Sequence, residues 1–364
     1  KLILPDFQCS FYFGETKVVN EKGISNLQDY RFSTPKVVLT NDYGFRIMGW
    51  TSNDEVLLLR DLTAGLTKAA IEIYNVKSGQ SLRLADENTI SGNLLWLPSK
   101  KAVAYIVHDL YTDSTKNRSR LMVTTFESGT SHLLAEGVTQ PLFSMPDESV
   151  VVLEPNEQNL IRVSARDDTS TPSKFLRLTM LGDRLLHVAQ HPYSPLVILY
   201  NETSFLILNT EIGKSNEFRL GKWQDENLWA QEARWSPDGK HLAVIATISG
   251  LPGRYTTLMI VDIEKECLWE IPVSRPFYID EMAWSPVGRY LLLSGFIGTT
   301  TDGFSIIEYH LVDPVTGQER QVKLSEYYGS DNYFDWSPDG KNIIFYCPTP
   351  EKGVLCTVTV EVKQ

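Results

Sequence analysis

The chain has 364 residues, 42 % of them apolar and 11 % aromatic, with no uninterrupted apolar stretch near the roughly 18 residues of a membrane span. Basic residues number 34 against 45 acidic, a net charge of −11, which opposes nucleic-acid phosphates or an anionic membrane surface as the main target. The four cysteines (Cys9, Cys267, Cys347, Cys356) form no CxxC pair, which excludes a zinc ribbon or a thioredoxin-type site.

From the N-terminus, residues 1–35 read as an extension, in which "CSFYFG" suits an added edge strand and "VVNEKGISNLQDY" a loop. Lys1 in place of Met suits a processed or a trimmed chain, from which any signal peptide would already be missing. Next comes "KVVLTNDYGF", in which Lys36 to Thr40 resembles the last strand of the units that follow. A phrase then recurs. "FRIMGWTSNDEVLLLR" has Trp50, a polar turn and an apolar run, and "GNLLWLPSKKAVAYIV" repeats this at Trp96. "TQPLFSMPDESVVVLE" puts Phe143 in the Trp position, and "LLHVAQHPYSPLVILY" puts Gln190 there. "ARWSPDGKHLAV", "MAWSPVGRYLLL" and "FDWSPDGKNIIF" follow at Trp235, Trp284 and Trp336. The spacings are 46, 47, 47, 45, 49 and 52, so seven copies share a period near 48.

Each copy holds four short β-branched and aromatic-rich runs separated by Gly, Pro, Asn and Asp, with no room left for helices. That is the layout of a propeller blade. Pro fixes φ for the second position of a turn, Asp and Gly accept the conformations that follow, and Trp is a plate able to fill the wedge between blades. The seventh copy stops after three strands, so Lys36 to Thr40 is expected to supply its fourth and close the ring. The expected fold is an all-β, seven-bladed β-propeller over residues 36–364, with four antiparallel strands per blade and the last blade closed by an N-terminal strand.

"WSPDGKHLAV" and "WSPDGKNIIF" resemble the repeat of the TolB-type propellers, also called WD40-like PD40 repeats, which recurs in tricorn and prolyl-oligopeptidase-type propellers. The peptidase members add a hydrolase domain with a G-x-S-x-G elbow; that motif does not occur here. The resemblance implies an exported protein of the periplasm, cell surface or extracellular space. Its implied partner is another protein or a cell-surface polymer, with a removed lipid anchor compatible.

Strand alternation puts the first-to-second and third-to-fourth turns on one face. The long, variable second-to-third loops and the blade connections lie on the other, where binding is expected. Aromatic residues gather there: Trp223, Trp229, Phe277, Tyr278, Tyr327 and Tyr328, with Asp280, Glu281 and Asp331 among them. Such plates and acids suit a peptide segment or a sugar ring. Gln231, Glu232, Asp280, Glu281, Asp331 and Asn332 begin first strands, so their carboxylates could hold a cation such as Ca²⁺ at the channel mouth; no other cofactor is expected. Six histidines show no metal spacing. Cys347 and Cys356 flank a hairpin loop, where a disulfide and two buried thiols are both open. The sequence favours a non-enzymatic interaction or scaffold propeller, with a carbohydrate-binding or carbohydrate-active propeller as the alternative. Two N-x-[ST] sequons, at Asn117 and Asn201, are within chance.

Overall fold

The computed structural model describes residues 27–63, 68–88, 90–109, 118–154, 159–164, 172–177, 187–191, 194–219, 222–223, 226–248, 255–265, 267–271, 273, 278–287, 290–299, 301, 305–324, 333–347 and 352–362. Seven antiparallel sheets follow one another along the chain, and each begins with an inner strand at the Trp position. The inner strands are Phe45–Trp50, Ile90–Leu97, Thr139–Ser144, His187–Gln190, Glu226–Trp235, Tyr278–Trp284 and Phe334–Trp336. They lie side by side around the axis, and each blade steps outwards through three further strands. The fold is the seven-bladed β-propeller that the repeat implies.

Period-2 alternation decides how the blades pack. In blade 1, Leu57 and Leu59 face blade 2, where they meet Val103 and Tyr105. Val56 and Leu58 face blade 7, where they meet Ile344 and Leu355. The core is thus divided into wedges, one between each neighbouring pair of blades. Each fully buried aliphatic side chain contributes about 1.5–3 kcal/mol.

The repeated phrase has a specific set of bonds. In blade 5, Ser236 donates its hydroxyl to Asp238 and accepts the backbone N–H of His241, while Asp238 also accepts the N–H of Lys240. Ser337, Asp339, Lys341 and Asn342 repeat this in blade 7. In three copies the Trp indole joins its blade to the one before it. Trp235 donates to the Ala189 carbonyl at 3.1 Å, Trp284 to that of Arg234 at 3.1 Å, and Trp50 to that of Asp335 at 3.4 Å. In the weakest copy the same task falls to an amide: Gln190 donates to the Ser144 carbonyl of blade 3 at 2.7 Å.

The turns also interlock. Val287, which replaces the turn Asp in blade 6, packs on Gly340 in the turn of blade 7. A Cβ on Gly340 would sit 2.6 Å from Val287 Cγ2, and Gly340 has φ +69°. Gly340→Ala therefore meets both backbone strain and overpacking, and should cost about 1–3 kcal/mol. Val287→Ala in the same chain should recover the overpacking part but not the strain. A double-mutant cycle on denaturant midpoints measures this; full additivity would refute the interlock.

Blade 7 takes its outer edge from the N-terminal side. Its third strand, Gly353–Val362, pairs with Lys36–Asn41 through Gly353 to Thr357 and with Tyr30–Phe32 through Val360 to Val362. Residues 27–32 therefore belong to the ring, although the sequence reads them as extension. Leu27–Asp29 forms a 3₁₀ turn, and Tyr30, fully buried, sits edge-on to Tyr290 and Trp336 with its hydroxyl 3.3 Å from Ser285 Oγ. Arg320 donates to the Leu27 and Tyr30 carbonyls at 2.6 and 2.7 Å. A three-residue strand is too short for a periodic signal, which is why the sequence shows only a loop. "CSFYFG" lies outside the described residues.

Cys347 and Cys356 are joined by a disulfide across the last hairpin, with Cα atoms 5.9 Å apart. With a separation of 9 residues it clips a short loop. Replacing both cysteines by Ala should cost about 2–3 kcal/mol on the loop-entropy estimate, read as a lower melting temperature; an unchanged melting temperature would refute this.

Candidate functional site at the channel mouth

The inner strands start on the face opposite the SPDG turns, and those of blades 5 and 6 carry Trp229, Gln231, Glu232, Tyr278, Asp280 and Glu281. Both inner strands carry a bulge at the same place in the repeat. Gln231 is the extra residue between Ala230 and Glu232, and Asp280 is the extra residue between Ile279 and Glu281. A bulge re-aims a side chain relative to regular alternation, and bulges recur beside functional sites. Gln231 uses its amide to donate to the Tyr278 hydroxyl at 2.8 Å and to Thr247 Oγ1. Tyr278 is thereby tied to blade 5.

Trp229 lies one residue before Ala230 and is 45 % exposed, although most large aromatic side chains of the described core are enclosed. The Ala230 N–H donates to the Glu202 carbonyl at 2.7 Å, which ties a loop residue of blade 4 to this inner strand. Further along the rim, His187 stacks on Tyr200 with ring centres 5.2 Å apart, and the Tyr200 hydroxyl accepts the Ala233 N–H at 2.9 Å. Burial, reinforced by Glu232, pushes the Tyr200 phenol up, so it stays neutral.

Below the mouth, Arg234 organises three blades. Its guanidinium pairs with Glu232 on its own strand and with Glu281 of blade 6 at 2.7 Å. Asp335 of blade 7 adds a third negative charge. The alternation explains the set: residues one and three before the Trp position face the next blade, and here they read Glu232 and Arg234, then Glu281, then Asp335. Burial opposes the Arg234 charge, but the surrounding carboxylates outweigh it and hold it firmly protonated. Glu281 is pushed well above the usual carboxylate range by burial and by Glu232, with Arg234 pulling against both. Burial raises Asp335 to about 6 despite Arg234. Three carboxylates around one guanidinium leave the cluster net negative.

The structure brings together only part of the residues singled out in the sequence. Trp229, Tyr278, Asp280 and Glu281 lie on the inner strands of blades 5 and 6. Trp223 pairs with Glu226 in a short two-residue strand leading into blade 5. Phe277, Tyr327, Tyr328, Asp331 and Asn332 lie outside the described residues, as do most of the long second-to-third loops. Glu232 and Glu281 are engaged by Arg234 rather than standing in a solvated rim. Among the described residues, no group of three or more His, Cys, Asp or Glu side chains has the geometry to hold a metal ion. Arg234 itself was missed: a charged residue before a Trp is ordinary on a surface, and only the ring brings it against blades 6 and 7. The Asn201 sequon is a turn device: Asn201 is buried and its Oδ1 accepts the Thr203 and Ser204 N–H groups.

No family model matches the chain, and no curated protein matches it. Solved structures do. An oligogalacturonate lyase in complex with manganese aligns at TM-score 0.61 and 11 % identity, over 92 % of this chain and 96 % of the other. The GH74 xyloglucanase from Xanthomonas campestris aligns at 0.59 and 12 % identity, over 87 % of this chain and 52 % of the enzyme. Kuenenia stuttgartiensis hydrazine synthase aligns at 0.58 and 12 % identity, over 88 % and 95 %. At such identities the likeness is one of fold. The class of the protein is therefore the seven-bladed β-propeller, a scaffold shared by enzymes of unrelated chemistry and by binding proteins.

Proposed function

We propose that the chain is a non-enzymatic interaction propeller that captures another protein with the face opposite the SPDG turns. The observation that carries this is Trp229, a large aromatic left 45 % exposed at the channel mouth, next to a Tyr278 that is braced by Gln231. Aromatic anchors in a preformed rigid setting are what protein interfaces use. The charge cluster below supports the reading, because Arg234 occupies Glu232 and Glu281 with a structural task. We place the protein outside the cytoplasm, supported by the Cys347–Cys356 disulfide, since such bonds persist in oxidising compartments. We also place its repeats with the TolB-type PD40 class, supported by the SPDG hydrogen-bond set.

The test is affinity capture from the native source with the wild type and with Trp229→Ala/Tyr278→Ala. A stoichiometric partner retained by the first and lost by the second is the expected result. Unchanged capture would overturn the site. A hydrolase and lyase screen on polysaccharides is the companion test: turnover abolished by Asp280→Asn would replace this reading with the carbohydrate-active one.

A further inference from the structure

We propose that His310 is the sensing group of a pH-sensitive clasp: its protonation steadies the outer strand of blade 6, and that strand holds the N-terminal segment which closes the ring. His310 lies on the third strand of blade 6, Ser305–Val312, and its side chain is 7 % exposed. Both ring nitrogens face carboxylates. Nε2 lies 3.1 Å from Glu308 Oε2 on the same strand, and Nδ1 pairs with Glu319 on the outer strand. An imidazolium has an N–H for each of them. A neutral ring donates to one and turns a lone pair on the other, so losing the proton breaks one bond and leaves two anions around an uncharged, buried ring.

The outer strand, Glu319–Val322, is four residues long and, among the described residues, is paired with one strand, Ser305–Val312. Alternation gives it two tasks. Glu319, opposite Val312, faces blade 5 with His310, while Arg320, opposite Leu311, faces blade 7. There the guanidinium donates to the Leu27 and Tyr30 carbonyls and lies over the Phe32 ring, 5.9 Å from its centre. The partner of His310 and the clamp on the N-terminal segment are therefore consecutive residues of one short strand.

Other charges on this face are few. Across the wedge blade 5 presents Leu258, Ile260, Ile271 and Trp269. Its charged groups on that side, His241, Asp262 and Lys265, gather beyond Trp269. Burial lowers the His241 pKa, which puts its titration on the acid side. The second strand of blade 6 offers Leu291, Leu293 and Gly295 on this face, and Gln321 and Lys323 continue it beyond Glu319. Burial opposes the His310 charge, but the bonds and charges of Glu319 and Glu308 outweigh it and raise its pKa above the ordinary 6.5. The stabilisation is then complete below 6.5 and is lost as pH rises through the raised value.

Hydrogen exchange read by mass spectrometry on the full chain from about pH 6 to about pH 9.5 tests this, with rates corrected for the intrinsic effect of hydroxide. In the wild type the opening constants of residues 27–33 and of Glu319–Val322 should rise together, by about tenfold, while that of Val150–Glu154 in blade 3 stays flat. His310→Gln, which has no proton to lose, should remove the rise in both segments. Arg320→Met should open residues 27–33 at every pH and leave the rise at Glu319–Val322. A flat wild-type profile would overturn the proposal, and so would a rise that survives His310→Gln. An equal rise in Val150–Glu154 marks loosening of the whole ring and rejects the clasp. A response of residues 27–33 that is unchanged in Arg320→Met rejects the link through the outer strand. Should His310→Gln fail to fold, the wild type decides: the midpoint of the opening of residues 27–33 must coincide with the His310 titration followed by NMR, and a separate midpoint refutes the assignment.

Discussion

Replacing Arg234 by Met should destabilise the ring by about 3 kcal/mol at neutral pH, more than most single substitutions in this protein. Breaking a buried ion pair by removing one partner costs about 3–5 kcal/mol, because the abandoned charges stay where they are. Here the lower end applies, since the Arg234 side chain keeps 40 % of its exposure along the axis. The variant leaves Glu232, Glu281 and Asp335 facing one another without a cation. Glu281 and Asp335, raised by burial even beside the guanidinium, then lie further above their values in the unfolded chain, so the folded state binds more protons. Stability must rise as pH falls through the raised values towards the ordinary carboxylate range, and the penalty must be complete above them. The wild type already shows part of this through Asp335, at about 6 when folded. Chemical denaturation from pH 8 to pH 4.5 should show the Arg234→Met deficit shrinking with acidity, and Asp335→Asn should be more stable than wild type at pH 8. A deficit independent of pH would mean that Arg234 acts by packing alone.

Removing residues 1–41 should abolish cooperative folding. The truncation strips Gly353–Val362 of both outer partners and deletes Tyr30, a fully buried ring in contact with Tyr290 and Trp336. Tyr30→Ala alone should cost about 3–5 kcal/mol, the range for truncating a buried aromatic. Far-UV circular dichroism on heating distinguishes the cases. A sharp transition in the 1–41 truncation would show that the ring closes without its N-terminal strands.

How far the sequence foretold this structure depended on whether a residue answers to its own strand or to a neighbour. The Ser, Asp and Gly of the turn phrase satisfy one another within five residues, so repetition exposed them together with the Trp slot and the blade count followed. Gln190 looked like a defect in that count, yet its amide makes the inter-blade bond that the Trp makes elsewhere. The charge cluster was invisible for the opposite reason. Arg234, Glu281 and Asp335 lie on three separate strands about fifty residues apart, and nothing in any one strand states which side chains meet across the axis. The bulges at Gln231 and Asp280 were hidden likewise, because a bulge is defined by its partner strand.

The sharing of Gly353–Val362 by two N-terminal strands also fixes an order of events. Ser33 and Thr359, which bond to each other, are 326 residues apart. Contacts of such separation are slow to form, because the closure entropy of the intervening chain must be met first. During synthesis six blades can assemble pairwise into an open arc while Lys36–Asn41 waits without its mate. The final hairpin is made last, and its arrival locks the first and last parts of the chain in one step. Refolding should therefore be limited by ring closure, and a short-lived arc with two unsatisfied edges is the species that a chaperone would have to shield.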